Sequence, residues 1–286
     1  MVEFLYFGHD MNAWAKLTAE LDQWATTGKI ATLWWRDDDA TQTGDALERL
    51  LSLGDGAVPL TLAVIPKQAE AELAERVSNT LHVTVVQHGW RHRNHSPQGE
   101  RSVEFGSGRS IDVMVDELGQ GKARLQALFG TRFIPVFVPP WNRITLELAP
   151  FFPGLDMAGL STFGPRKPVP DWPVTVVNTH VDPILWRDRK RFIGDSNTLA
   201  GLVAHLAARR QGLVDKDEPT GLLTHHLVHG EDIWHFLSQL FAVTLRHPGA
   251  RWLSTAEVFA SGSGGVTPYA YTLGEGATDG MQAITR

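Results

Sequence analysis

The chain has 286 residues, a net charge of −6 and no cysteine. This composition excludes a disulfide framework, a zinc–thiolate site and a thiol nucleophile, and the acidic balance gives no electrostatic reason to expect a nucleic acid as partner. No uninterrupted apolar run reaches membrane-spanning length, so no membrane partner is expected.

The hydrophobic pattern predicts alternating strands and helices. In chain order it predicts a helix at about 10–27, a strand at 30–35, a helix at 45–53, a strand at 59–65, a helix at 67–77, a strand at 81–87, a long polar loop at 93–109, a helix at 110–129, strands at 132–138, 157–162 and 174–178, a helix at 197–210, a strand at 221–224, a helix at 232–245 and a strand at 251–254. This steady alternation is typical of a parallel α/β sheet. We therefore predict a distorted (β/α) barrel with about seven parallel strands, formed by a single domain over 1–260. A flexible tail rich in Gly, Ser and Thr is predicted over 261–286.

Polar clusters follow five of the predicted strands. They are Asp37 to Asp39, His88 with His92, Pro140 to Arg143, His180 with Asp182, and His225 with His226. In parallel α/β folds the functional groups collect at the carboxyl ends of the strands. The sequence therefore predicts that these clusters converge on one site.

Three consecutive carboxylates, Asp37, Asp38 and Asp39, follow the first strand. Aspartates at such a position also serve as helix caps or in turns. However, adjacent carboxylates repel one another unless a cation or hydrogen-bond donors compensate their charge. A metal ion would do so, with one aspartate as ligand and a neighbour left as a base.

His88 and His92 form an H-x-x-x-H pair, whose spacing can place both imidazoles on one side of a helix or turn. The spacing alone is a weak signal in a chain with 12 histidines. Together with a carboxylate, two histidines make a recurrent open metal site that leaves positions for water and substrate.

The order of these motifs resembles the polysaccharide deacetylase family, the carbohydrate esterases that include chitin and peptidoglycan deacetylases. The family's T-F-D-D motif is matched by Trp35 to Asp38 and its H-S/T-x-x-H motif by His88 to His92. Its R-x-P-aromatic-G motif is matched by Val138 to Asn142, and its L-x-x-H motif by Leu222 to His225. The resemblance spans about residues 30 to 230.

Carried over residue by residue, the resemblance implies that Asp38, His88 and His92 bind one divalent metal ion, typically zinc. It implies that Asp37 is the catalytic base. The catalytic acid would be His225, with His226 as its rival, since neighbours on a strand point to opposite faces. In addition, Trp141 would form a wall of the substrate groove.

Several positions depart from the family pattern. Val138 stands where the family has the arginine that orients the base, and Arg36 and Arg143 are the candidates to replace it. Gly89 stands in place of a small hydroxylated residue, and Asp39 in place of glycine. Arg143 and His180 are further candidates for substrate binding, although the His180–Asp182 pair also suits a turn before Pro183.

The sequence thus predicts a metal-dependent hydrolase that removes an N-acetyl or related acyl group from an amino sugar, a glycan or a small N-acylated substrate. One alternative is a hydrolase of another ester or amide bond, such as a phosphoester or a cyclic amide, with extra metal ligands from His180, Asp182 and His226. Another is a catalytically inactive carbohydrate-binding relative. Because the N-terminus lacks the features of a secretory signal, we expect a cytoplasmic protein. The oligomeric state is left open.

Overall fold

The computed structural model describes residues 11–167, 171–187 and 190–260. Within these ranges the strands are β1 (Ala31–Ala40), β2 (Leu60–Val64), β3 (Val83–His88), β4 (Phe133–Val138), β5 (Gly159–Leu160), β6 (Thr175–Val176), β7 (Ile184–Leu185), β8 (Arg191–Phe192), β9 (Thr220–Thr224) and β10 (Ala250–Trp252). All of them except β7 and β8, which form an antiparallel pair, belong to one parallel sheet.

The parallel sheet curls into a distorted barrel. Strands β1 to β6 are neighbours in chain order, and β9 pairs with the other side of β1. Beyond β6 the chain returns to β9, where Val181 bridges to Leu222. These seven strands make the ring, while β10 pairs with the first residues of β1. The predicted (β/α) barrel is therefore confirmed.

Helices cover the outside of the barrel. The α-helices of the described residues are α1 (Met11–Thr26), α2 (Asp45–Ser52), α3 (Ala71–Ser78), α4 (Ile111–Phe129), α5 (Asp195–Gln211), α6 (Glu231–Arg246) and α7 (Thr255–Ala260). Apolar side chains at helical spacing, such as Trp14, Leu17, Leu21 and Trp24 on α1, are buried against the sheet and against α5. None of these helices is long and apolar enough to span a bilayer.

The two faces of each strand serve different cores because successive side chains alternate across a strand. Leu33 and Trp35 of β1 belong to the large core under the helices, whereas Trp34 belongs to a smaller cluster with residues of β2, β3 and β4. Phe259 of α7 packs edge-on against Trp34 at 6.1 Å between ring centroids. This second cluster is the apolar part of the barrel interior.

Two elements differ from the prediction in ways that affect the site. The first strand does not end at residue 35 but continues to Ala40, so the three aspartates lie inside β1. The β7–β8 hairpin was not predicted, and it adds a wall beside the carboxyl ends of the strands. The predicted tail over 261–286 lies outside the described residues.

Candidate active site

A cavity of about 700 Å³ opens at the carboxyl ends of the strands. Its polar end is formed by five of the strand-end residues, Asp38, Asp39, His88, His92 and His225. The cavity is of the size that small-molecule sites usually have. These residues therefore lie together, as the sequence predicted. The aspartate next to the histidines, however, is Asp39 and not Asp38.

The carboxylate that faces both histidines belongs to Asp39. Its Oδ1 lies 3.1 Å from Nε2 of His88 and 3.3 Å from Nε2 of His92. Among the described residues, these three side chains form a group whose candidate ligand atoms all lie within 4.8 Å of one another. This group differs from the ligand set predicted from the sequence, in which Asp38 supplied the carboxylate.

The tautomer of His88 fits a metal ligand. Its Nδ1 lies 3.0 Å from the carbonyl oxygen of Val138, which can only accept, so Nδ1 carries the proton. In the neutral ring Nε2 then has a lone pair, which is directed at the group that Asp39 and His92 complete. Histidine ligands commonly have their other ring nitrogen fixed in this way by a carbonyl or carboxylate. The residues present therefore fit a divalent metal ion.

A bulge in β1 explains why two consecutive aspartates reach the cavity. The pairing of β1 with β2 shifts register between Asp37 and Ala40, and Asp39 has a φ of 76°. An extra residue in one strand breaks the alternation of side chains, and Asp is among the residues that tolerate a positive φ. Asp38 and Asp39 consequently both line the cavity instead of pointing to opposite faces.

Glu104, from the predicted polar loop, holds the turn that carries His92. Its carboxylate accepts hydrogen bonds from the backbone N–H groups of Trp90, Arg91 and Arg93 at 2.9 to 3.3 Å. Gly89 in the same turn has a φ of 59°, and a Cβ there would lie 2.1 Å from Oε2 of Glu104. Glycine is thus required where the family carries a hydroxylated residue.

Asp38 is held by Arg36 in a buried, bidentate ion pair. Nε and Nη2 of Arg36 donate to the two carboxylate oxygens at 2.9 and 3.0 Å. Arg36 is fully buried, and it also donates to Ser161 at 2.6 Å and to Oδ1 of Asn142 at 2.8 Å. Of the two arginines considered as replacements for the missing family arginine, Arg36 is the one bound to an aspartate of the cavity.

Asp37, predicted as the base, is buried away from the cavity. Its Oδ1 lies 2.5 Å from Nδ1 of His226, and its Oδ2 accepts from the hydroxyl of Thr224 and from the backbone N–H of His226. Neither Asp37 nor His226 is among the residues that line the cavity. This geometry does not suit a group that must reach a substrate.

His225 lines the cavity, whereas its neighbour His226 does not. Its ring packs edge-on against Trp186 with 4.5 Å between centroids, and its buried Nδ1 has no hydrogen-bond partner among the described residues. Asp182 fixes Trp186 by accepting a 2.7 Å hydrogen bond from the indole N–H. Of the two neighbouring histidines, His225 is therefore the one that lines the cavity.

Trp141 and Arg143, which the sequence predicts as substrate-binding residues, also line the cavity. The Trp141 ring lies 4.3 Å from that of His92, in a turn where its φ is 55°. Arg143 donates to the carbonyl of Ser102 at 2.8 Å. Burial and the nearby charge of Arg101 lower the pKa of Arg143.

His180 does not reach the cavity and belongs to a buried group with His205 and Glu218. Its ring stacks on that of His205 at 3.5 Å, and its Nε2 lies 3.3 Å from Glu218. Because Nδ1 of His180 accepts the backbone N–H of Gly221, Nε2 must carry the proton and has no lone pair for a metal. The group is consistent with a structural network, and the predicted substrate contact of His180 is not supported.

Burial and neighbouring charges shift the pKa values of Asp39, His88 and His92. Burial raises the pKa of the Asp39 carboxyl, but the hydrogen bond and charge of His88 outweigh it, so the pKa lies below its ordinary value. Burial lowers the pKa of His88, yet the charge of Asp38 and the hydrogen bond of Asp39 raise it overall. For His92, burial and the charge of His88 lower the pKa.

No protein-family model matches the chain, and no curated protein matches it in sequence. The fold, however, matches solved structures of deacetylases. A protein described as a polysaccharide deacetylase from Mycobacterium smegmatis has a TM-score of 0.58 at 16% identity, covering 82% of this chain and 90% of that one.

Two further matches have bound molecules. The Bc1960 peptidoglycan N-acetylglucosamine deacetylase, in complex with 4-naphthalen-1-yl-N-oxidanyl-benzamide, has a TM-score of 0.52 at 16% identity and covers 81% of this chain and 89% of that one. A family 4 acetyl xylan esterase from Clostridium thermocellum, in complex with cobalt, has a TM-score of 0.50 at 16% identity and covers 80% and 91%. The chain thus has the fold of the carbohydrate esterases that its motifs resemble.

Proposed function

We propose that this protein is a metal-dependent hydrolase that removes an acetyl or related small acyl group from an amide or ester. The observation that carries the proposal is one cavity lined by three kinds of group: the Asp39–His88–His92 cluster, Asp38, whose carboxylate Arg36 holds from behind the wall, and His225. These groups correspond to a metal site, a base and an acid. The shared fold with structures described as deacetylases agrees with this reaction class.

Asp39, His88 and His92 would hold one divalent ion, and we propose zinc. Two imidazoles and one carboxylate are common ligands of zinc in sites that leave a position open for water. When bound, such an ion lowers the pKa of water and polarises the acyl carbonyl. The cobalt ion in the acetyl xylan esterase structure supports a divalent ion in this fold.

Asp38 is our candidate for the base. Its carboxylate lines the cavity next to Asp39, so an attacking water near the ligand cluster could pass its proton to an oxygen of Asp38. Arg36 fixes both oxygens of Asp38 through paired donors, which sets the direction of the remaining lone pairs. Arg36 is thus a positioning residue, and it takes over the task of the arginine that Val138 replaces.

His225 is our candidate for the acid. It lies in the cavity wall beside Trp186, and histidine is suited to proton transfer near neutral pH. After attack, it would donate a proton to the departing nitrogen or oxygen, so that an amine or alcohol leaves in its neutral form. The negative charge that develops on the acyl oxygen would be stabilised by the positive charge of an ion held at the Asp39–His88–His92 cluster.

The alternatives from the sequence have less support. A two-metal hydrolase would take extra ligands from His180, Asp182 and His226. His180 and His226 lie away from the cavity in other contacts, and Asp182, which does line it, accepts hydrogen bonds from Trp186 and Ile184. An inactive relative is expected to lose one of the reacting groups, whereas candidates for ligands, base and acid are all present here. An N-acetylated amino sugar or glycan as substrate and a cytoplasmic location remain predictions.

The test is metal-dependent release of acetate. The protein is stripped with a chelator, reloaded with Zn²⁺ or Co²⁺ and assayed on 4-nitrophenyl acetate and N-acetylglucosamine. We expect about one equivalent of metal per chain and hydrolysis of at least the activated ester only after reloading. An Asp39→Asn variant is the matched control, and equal hydrolysis by the stripped protein would refute the proposal.

A further inference from the structure

Much of the wall of the cavity is apolar. Six side chains form this part of it: Trp141, Phe163, Ile184, Trp186, Ile193 and Leu223. Phe163 and Trp186 are 46% and 41% exposed. Exposed apolar surface inside a concave site is typical of a surface that a ligand covers.

The polar side chains Asn142, Arg143 and Asp182 also line the cavity, and each makes at least one hydrogen bond within the protein. Both carboxylate oxygens of Asp182 accept hydrogen bonds, from the indole of Trp186 at 2.7 Å and from the backbone N–H of Ile184 at 2.9 Å. Oδ1 of Asn142 accepts from Arg36. Beside Trp186, the lining side chains of Ile184 and Ile193 offer no hydrogen-bond partner to the hydroxyl groups of a sugar, and hydroxyls buried without partners weaken binding.

The apolar surface lies on the side of the departing group. Trp186 packs against His225, the residue that would protonate the departing nitrogen, and Asp182 holds the indole in place. Ile184 and Ile193 flank Trp186 on the β7–β8 hairpin and directly after it, and both line the same cavity. A group attached to the departing nitrogen would therefore contact this surface.

We propose that the substrate is an N-acylated amine whose amine part is an apolar ring or branched alkyl group, bound against Trp186, Ile184 and Ile193. The proposal rests on the proposed function for the side of the scissile bond that it assigns. It names a substrate class that differs from the amino sugar predicted by the motif resemblance. The contact with the tryptophan is the determinant of this specificity.

The experiment compares N-cyclohexylacetamide with N-acetylglucosamine, which share a six-membered ring and an acetamide but differ in hydroxyl groups. Binding of each to the zinc-reconstituted protein is measured by calorimetry, and acetate release is measured in parallel. We expect the cyclohexyl compound to bind at least about tenfold more tightly, as burial of an apolar ring allows. Equal or tighter binding of the sugar overturns the proposal.

Variants of Trp186 test whether this surface binds the cyclohexyl group. Trp186→Ala should weaken binding of N-cyclohexylacetamide by about tenfold or more, and Trp186→Phe should restore most of it. Phe151→Ala is the matched control, because Phe151 is a similarly exposed aromatic residue, 39% exposed, that does not line the cavity. Unchanged affinity in Trp186→Ala overturns the proposal.

The two proposals fail in distinguishable ways. If the protein binds the cyclohexyl compound through Trp186 but releases no acetate from any probe, the hydrolase function fails and the apolar site stands as a binding site. If acetate is released with a higher kcat/KM from N-acetylglucosamine than from N-cyclohexylacetamide, the function stands and the apolar substrate class is wrong.

Discussion

Arg36 and Asp38 lie two positions apart on β1 and join side chains in a bidentate ion pair of 2.9 and 3.0 Å, with both side chains almost fully buried. The alternation of a β-strand places residues i and i+2 on one face, which makes this local pairing possible. The same strand therefore supplies both the candidate base and the cation that orients it. The next residue, Asp39, supplies the candidate metal ligand.

The neighbouring aspartates are expected to have separable roles. Asp39→Asn should reduce bound zinc from about one equivalent to near zero, because it removes the only carboxylate of the ligand group. Asp38→Asn should keep the metal and lose hydrolysis by about 10²-fold or more, because the base is gone. Metal content by mass spectrometry and acetate release measure the two effects. Metal loss in Asp38→Asn with retention in Asp39→Asn would restore the assignment made from the motif.

Replacing Arg36 by lysine tests its positioning role. Lysine keeps the charge but cannot make two parallel hydrogen bonds to Asp38, so kcat should fall by about 10- to 100-fold with little change in KM or metal content. A steady-state analysis of the reconstituted variant separates kcat from KM. Removal of the cation in Arg36→Gln should also destabilise the fold by about 3–5 kcal/mol, since Asp38 is left buried without its partner. An unchanged kcat in the folded lysine variant would exclude the positioning role.

Substitution of His225 should affect amides more than activated esters. In His225→Gln, hydrolysis of an N-acetylated amine should fall by about 10² to 10⁴, because no acid protonates the departing nitrogen. Hydrolysis of 4-nitrophenyl acetate should fall less than about tenfold, since nitrophenolate departs without a proton. His235→Gln, an exposed histidine on α6, is the control. Equal losses on both substrates would show that His225 is not the acid.

The buried His180–His205–Glu218 group predicts a dependence of stability on pH. Burial, together with the charges of His180 and Arg209, lowers the pKa of His205 from 6.5 to about 3. Between about pH 3 and pH 6.5, His205 therefore binds a proton in the unfolded chain but not in the folded chain. The free energy of unfolding consequently falls as the pH decreases below about 6.5. At pH 5 this linkage costs about 2 kcal/mol.

Urea unfolding at pH 7.5 and pH 5.0 measures this effect. The loss of unfolding free energy between the two pH values should be smaller in His205→Asn than in the parent protein by about 2 kcal/mol. His205→Asn also loses the contact between Nδ1 and the Thr220 hydroxyl, which lowers stability at both pH values and cancels in the comparison. The same pH dependence in both proteins would contradict the prediction.

Gly89→Ser, which restores the family's hydroxylated residue, should disturb the turn between His88 and His92. The new Cβ would lie 2.1 Å from Oε2 of Glu104 and 2.5 Å from Cγ of Pro140. The positive φ alone costs about 1–2 kcal/mol for a residue other than glycine. Gly99→Ser is the matched control, because Gly99 also has a positive φ but no atom within 4 Å of its Cβ position. We expect lower stability and weaker zinc binding in Gly89→Ser than in this control.

The sequence by itself determined the fold class and the neighbourhood of the site. Alternating strand and helix patterns predicted the (β/α) barrel, and parallel strands place their carboxyl ends at one edge. For that reason His88, His92, Trp141, Arg143 and His225 were correctly expected near one another, since the cavity collects all five. These predictions depend only on periodicity and on the position of residues at strand ends.

The tertiary structure decided which of the neighbouring side chains line the cavity. A run of three aspartates can be matched to a two-aspartate motif in more than one register, and only the bulge in β1 shows which side chains enter the cavity. Glu104 contacts the turn between His88 and His92 from the far end of a long loop. Trp186 contacts His225 from a hairpin that the sequence did not predict. Hydrogen-bond partners also fixed the tautomers that distinguish His88 from His180. Such details depend on register and on three-dimensional packing, which the pattern of residues does not encode locally.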